Sequence, residues 1–175
     1  MDAEAYRWRC HCCGAEFTGL PMSLAFAAPL GWEELDDAVR QASSLDEDFC
    51  EIRHSSDRVD RFIRCVMPLF VRGMETEFVF GVWMSVSEPS WEIYREGFES
   101  GHYAEDGCFG YLANDIPDYT GSVLLAANVW FQDDRMRPVC ELQDTDHPLV
   151  LAQRDGIDVA QIERWVAFSH RGSQD

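Results

Sequence analysis

Glu77-Phe78-Val79-Phe80-Gly81-Val82-Trp83-Met84-Ser85-Val86-Ser87 is the stretch whose reading decides the fold class. Phe78, Phe80, Val82, Met84 and Val86 recur with a period of two, so in an extended chain they share one face, and Trp83 stands on the other. Just upstream, Arg61–Val71 is also strand-like and ends near Arg72-Gly73. Two such runs joined by a short glycine-containing loop predict a β-hairpin. Downstream, Ser87 and Pro89 mark a helix start, and Trp91, Tyr94 and Phe98 follow at i, i+3 and i+7, with Gly97 and Gly101 limiting the helix.

Further out, Ser100–Gly107 reads as a polar loop, Phe109–Leu112 as a short strand and Asn114–Tyr119 as a proline-containing turn. Ser122–Gln132 and Arg137–Gln143 predict a second hairpin around Asp133-Asp134-Arg135. Towards the N-terminus, Tyr6–Arg9 predicts a strand leading into a cysteine knuckle at 8–21. Trp32, Leu35, Ala38, Val39 and Ala42 then fall at helical spacing, with acidic residues in the first turn where the helix dipole favours them. Towards the C-terminus, Asp158 and Gln161 have the spacing of a capping box for a helix over about 158–171 that carries Val159, Ile162, Trp165 and Val166. Strands grouped in hairpins, with helices between and after them, predict an α+β fold. Its sheet is expected to be antiparallel and built from hairpins, with flanking helices and the N-terminal cysteine knuckle, in a single domain over 1–175.

The 175 residues, 46% of them hydrophobic, suffice for a core without disulfide staples. Met1–Arg9 has no apolar signal-like region, and runs such as Val123–Phe131 are too short to span a bilayer, so a cytoplasmic protein away from membranes is expected. Thirty-two carboxylates face fourteen cations, a net charge of −18, and every cation is Arg. The absence of Lys excludes Schiff-base chemistry and a P-loop lysine. The charge argues against nucleic acid, whose phosphates call for local positive charge, and makes a basic protein partner electrostatically plausible. Acidic surface that merely keeps a protein soluble is the plainer reading.

Seven cysteines suggest thiols or metal ligands rather than disulfides in a protein of this kind. Cys50, Cys65, Cys108 and Cys140 sit singly beside apolar residues, as small buried hydrophobes do. Cys10-His11-Cys12-Cys13-Gly14 is different. Cys10 and Cys13 have the spacing of half a tetrahedral zinc site, and Gly14 lets the backbone turn around the sulfurs. The remaining ligands must come from elsewhere: Cys50 and His147 first, with His170, Cys12 and His11 behind them. A reduced turn without metal is the alternative. His147, in Asp146-His147-Pro148-Leu149, also suits a turn histidine satisfied by backbone. Cys50 with His54 invites a Cys–His nucleophile, but Asp46, Glu47 and Asp48 upstream would raise the thiol's pKa.

The blocks Cys10-x-x-Cys13-Gly14, Asp48-Phe49-Cys50, Phe62-Ile63-Arg64, Phe80-Gly81-Val82-Trp83-Met84-Ser85-Val86-Ser87, Gly110-Tyr111-Leu112, Ile116-Pro117-Asp118-Tyr119 and Asp146-His147-Pro148-Leu149 resemble, in this order and spacing, the bacterial family known as domain of unknown function 2199. The resemblance runs from Cys10 to Ile157. It implies one compact domain with no established activity, and it implies that Cys10, Cys13, Cys50 and His147 belong to the family pattern.

Two classes of function follow. One is a non-catalytic acidic binding protein with a structural zinc, including an immunity- or antitoxin-like protein that neutralises a basic partner. Its expected contact surface is Glu33, Glu34, Asp36, Asp37, Asp46, Glu47 and Asp48. The other is a metal-dependent hydrolase using Cys50 and His147 around an open zinc position.

Overall fold

β6 (Val59–Leu69) and β7 (Phe78–Val86) pair antiparallel from Arg61 opposite Val86 to Leu69 opposite Phe78, the predicted hairpin. In the computed structural model, which describes residues 2–10 and 13–172 and gives residues beyond 166 as backbone alone, this hairpin anchors the sheet. Phe78, Phe80, Val82 and Met84 are fully buried and share a face with Leu69, Met67, Cys65 and Ile63 of β6. Each such side chain contributes roughly 1.5–3 kcal/mol of burial. Trp83 occupies the opposite face and is also buried, in a second cluster with Trp32, Cys50, Ile52 and Ala113. The strand is therefore covered on both sides.

β8 (Gly107–Leu112) adds to β7, β9 (Ala126–Trp130) adds to β8, and β10 (Val139–Leu142) forms the expected second hairpin with β9. The prediction of a hairpin-built antiparallel sheet needs correction here. β10 returns to β6 as a parallel neighbour, Val139 opposite Val66, and closes the five strands into a barrel. The closing bond runs from the Val66 amide to the Pro138 carbonyl, 2.8 Å. Proline has no N–H to give, so its carbonyl is the group it brings to a ladder. Outside the ring, β5 (Phe49–Arg53) pairs with β6 and β4 (Ser44–Leu45) with β5, while β3 (Ser23–Ala25) runs parallel to β7. At the N-terminus, β1 (Arg7–Arg9) and β2 (Glu16–Thr18) form a small separate hairpin that flanks the cysteine stretch.

The helices follow their caps. α1 (Asp37–Ala42) is shorter than the spacing from Trp32 predicts, because Asp36 Oδ1 accepts from the Val39 amide at 2.9 Å and starts the helix there, while Trp32 turns into the second cluster. α2 (Glu88–Ser100) begins after Ser87, as predicted, and ends at Gly101, whose φ of 81° is left-handed. Gly97 does not limit it; this residue lies inside the helix beneath Tyr103. α3 (Pro148–Asp155) is a helix that the sequence reading leaves unassigned, although His147, Pro148 and Gly156 are start and stop signals. α4 (Val159–Gly172) matches the expected C-terminal helix, but the capping box does not form. Asp158 accepts from Arg72 Nε at 2.8 Å instead, and Gln161 donates to Tyr119 Oη at 2.8 Å. Tyr94 of α2, Leu149 of α3 and Trp165 of α4 all join the main core. No helix among the described residues is long and apolar enough to cross a membrane.

Candidate functional site

The knuckle forms as a turn: the Cys10 amide donates to Ala15 O and the Gly14 amide to Cys10 O, both at 2.8 Å, with Gly14 at φ 74°. Cys10 is buried and Cys13 exposed. Cys50 and His147 do not complete a site with them. Cys50 is sealed among Trp32, Ile52 and Trp83, and its thiol is pushed up to about 12 by burial, then by Asp46 and Glu51. His147 caps α3: its Nδ1 accepts from the Leu149 amide at 3.1 Å, and its Nε2 lies 3.2 Å from Thr120 O. Both ring nitrogens are engaged with backbone, the turn-histidine reading. Among the described residues no three His, Cys, Asp or Glu side chains are grouped to hold a metal. The structure therefore does not bring Cys10, Cys13, Cys50 and His147 together as one ligand set. Cys50 is too deeply packed to reach a substrate, and its acidic surroundings oppose the thiolate. His11, Cys12 and the His170 side chain lie outside the described residues.

The acidic stretch divides in two. Glu33, Glu34, Asp36 and Asp37 are exposed around α1, where Glu33 Oε2 lies 3.5 Å from Arg40 and Asp36 serves as the cap. Asp46, Glu47 and Asp48 instead line a groove of about 500 Å³ between β4–β5 and α2. The loop that carries them is held firmly. Asp46 Oδ1 accepts from the amides of Asp48 (2.9 Å) and Phe49 (2.7 Å). Asp48 Oδ1 meets Arg137 Nε at 2.7 Å, and the Glu47 carbonyl accepts from Arg64 and Arg137.

The floor of this groove is aromatic. Phe49 meets Trp91 and Phe98 edge-on, with ring centroids 5.7 and 5.4 Å apart. Trp91 is 6% exposed, lines the groove, and its indole Nε1 has no hydrogen-bond partner. The guanidinium of Arg95 lies 5.0 Å from the Trp91 ring centre and that of Arg61 lies 5.9 Å from it, so this ring already attracts cations. Around that floor stand Asp46, Glu47, Asp48, Glu51 and Glu99; Arg95 lines the groove with them, Arg137 pairs with Asp48, and Arg53 and Arg61 pair with Glu51 at 3.2 and 3.4 Å. Aromatic faces beneath carboxylates favour a guanidinium or an ammonium.

Reading the chain locally finds Asp46, Glu47 and Asp48 but misses Trp91, Phe98 and Glu99. The spacing of Trp91, Tyr94 and Phe98 marks a core face. It does not reveal that the end of this face opens beside β5. A larger groove, about 600 Å³, lies between β10 and α3. There Gln153 is already committed to the fold, accepting from the Leu142 amide and donating to Cys140 O.

No curated protein and no solved structure matches the chain. A family match covers residues 9–157, most of the chain and nearly the span of the motifs that suggested it. With the Asp48-Phe49-Cys50 block now placed at the groove and Asp146-His147-Pro148-Leu149 at the start of α3, the protein belongs to the family described as an uncharacterized protein conserved in bacteria, DUF2199.

Proposed function

We propose that the protein is a non-catalytic binding protein, working in the cytoplasm, that receives a basic segment of a partner protein in the groove between β5 and α2. An immunity- or antitoxin-like role, in which the carboxylates neutralise a cationic functional surface, is the form of this reading that the charge suits best. The observation that carries it is the aromatic floor ringed by Asp46, Glu47, Asp48, Glu51 and Glu99, of which Asp48 and Glu51 are already paired with arginines. The net charge of −18 supports it by steering cationic partners towards the chain. Asp48 and Glu51 contribute least to such a field, because Arg137 holds the one and Arg53 and Arg61 the other; Glu47 and Glu99 contribute most.

Titration of an arginine-rich peptide against the full chain, followed by tryptophan fluorescence, tests the reading. The expected result is saturable binding that weakens on the order of tenfold as salt rises from roughly 0.05 to 0.3 M. Glu47→Gln with Glu99→Gln should weaken it several-fold at low salt, with melting unchanged. A peptide that fails to bind at low salt, or binds the doubly neutralised chain equally well, overturns it.

A further inference from the structure

Two guanidinium groups lie over the Trp91 ring, and they are held very differently. Arg61 reaches the ring from β6, and its side chain is only 14% exposed. Glu51 at 3.4 Å and Glu88 at 2.9 Å both pair with it, so Arg61 is fixed in place. Arg95 comes from α2 itself, one turn beyond Trp91, and lies closer to the ring centre, at 5.0 Å. Its side chain is 45% exposed, and its guanidinium meets Glu92 at 2.7 Å, an i,i+3 pair along the helix. Exposed pairs of this kind hold weakly, and so does a cation over a ring at the surface. Of the two cations, Arg95 is the one that can leave.

Arg95 also lines the groove, together with Trp91 and Phe98. A basic segment entering there finds the aromatic floor already taken, because a guanidinium of this chain lies against the ring that attracts it. The ring has little freedom to turn away from that contact. It is almost wholly buried, and Phe49 packs edge-on against it with centroids 5.7 Å apart. A third guanidinium is repelled by Arg61 and Arg95 alike as long as both remain at the ring. Arg61 is tied to two carboxylates, so Arg95 is the group that must move before an incoming cation can take a place on Trp91.

We propose, resting on the reading of this groove as the seat of a basic segment, that Arg95 is a built-in occupant of the Trp91 ring that an arginine side chain of the partner displaces, so that Arg95 sets the affinity of the site. Calorimetric titration of an arginine-rich peptide against the full chain and against its Arg95→Gln and Arg135→Gln variants tests this. Arg135 donates to the Glu99 carbonyl at 3.1 Å, about two helical turns beyond Trp91, so its loss removes the same charge beside the groove and leaves the ring occupied. At roughly 0.05 M salt both variants should bind more tightly than the unmodified chain, since each has lost a positive charge. At roughly 0.3 M salt screening should erase the gain from Arg135→Gln, while Arg95→Gln still binds roughly two- to fivefold more tightly. In the unmodified chain the Arg95 Nε–H resonance should lose its ring-current shift as the peptide is added. Equal affinities for the two variants at the higher salt, or an Arg95 resonance that stays in place at saturation, would overturn the proposal and leave the groove's reading intact. Absence of binding by all three proteins at low salt would overturn both.

Discussion

Arg137 Nε lies 2.7 Å from Asp48 Oδ1, tying the residue that leads into the closing strand of the barrel to the acidic loop of the groove. Both side chains are partly exposed, so the pair is worth about 1 kcal/mol after solvent screening. Arg137→Met should lower the melting temperature by roughly 2–4 °C. It should also speed amide exchange at residues 46–48. A double-mutant cycle with Asp48→Asn checks the assignment, and a coupling energy of zero would remove this contact as the cause.

Asn114 has a stricter role. It is 2% exposed, accepts from the Trp83 amide at 2.7 Å and donates to Ala28 O at 2.9 Å. Asn114→Leu has nearly the right volume but leaves the buried Trp83 amide and the half-buried Ala28 carbonyl unpaired, the buried donor alone costing about 1–3 kcal/mol. The expected loss, roughly 2–5 kcal/mol by urea unfolding, exceeds that of an ordinary polar-to-apolar change. A loss below about 1 kcal/mol would show that water or backbone movement satisfies both groups.

The buried thiols predict alkaline sensitivity. Burial pushes Cys50 and Cys140 up to about 12 and Cys108 to about 11, and holds Cys65 well above its ordinary value. Unfolded thiols ionise near 8.5, so above that pH the unfolded chain releases protons that the native chain retains. The stabilisation is fully present below about 8.5 and is lost as pH rises towards the native values, at up to about 1.4 kcal/mol per pH unit for each thiol. Urea midpoints measured from pH 7.5 to 10 should fall, and Cys50→Ala should flatten that fall. Native-state alkylation mapped by mass spectrometry should label Cys13 and spare Cys50, Cys65 and Cys140. Labelling of Cys50 without unfolding would contradict its sealed position.

Gly97 tests close packing inside a helix. A Cβ added there would run into the ring of Tyr103. Alanine is the better helix former by about 1 kcal/mol, yet displacing Tyr103 from its stack on Tyr94 should outweigh that gain. Gly97→Ala should therefore destabilise by about 1–3 kcal/mol. Adding Tyr103→Ala to Gly97→Ala should cost less than the two changes summed, since the second removes the clash created by the first. Simple additivity would argue against it.

Much of the fold is written locally. Alternation at 78–86 places every inward residue of β7, and Ser87, Pro89 and Gly101 bound α2 through their own backbone preferences. Tertiary choices leave weaker marks. Val66 and Val139 look like ordinary strand residues, and nothing near either says that they pair in parallel. Asp158 and Gln161 have the spacing of a cap, but Arg72 and Tyr119 from distant segments bond them instead. The site divides along the same line: Asp46, Glu47 and Asp48 stand out as a charge run, while Trp91 and Phe98 have the pattern of core residues until β5 is packed beside α2. The Cys10–Cys13 spacing describes a turn correctly, whereas the partners assigned to it, Cys50 and His147, are held by packing and by a helix start.

The pairing of Val66 with Val139 also orders events in time. β6 is complete early in synthesis and finds β5 and β7 close by in the chain, but its remaining partner, β10, emerges only after β7, β8 and β9 have been made. Until then the Val66 segment is an unpaired strand edge, the kind of surface that recruits foreign strands. Ring closure must wait for a contact between distant parts of the chain, which slows folding more than any hairpin does. The Val66 amide should be among the last in the barrel to gain protection from exchange during refolding, and a chain truncated before β10 should aggregate through β6.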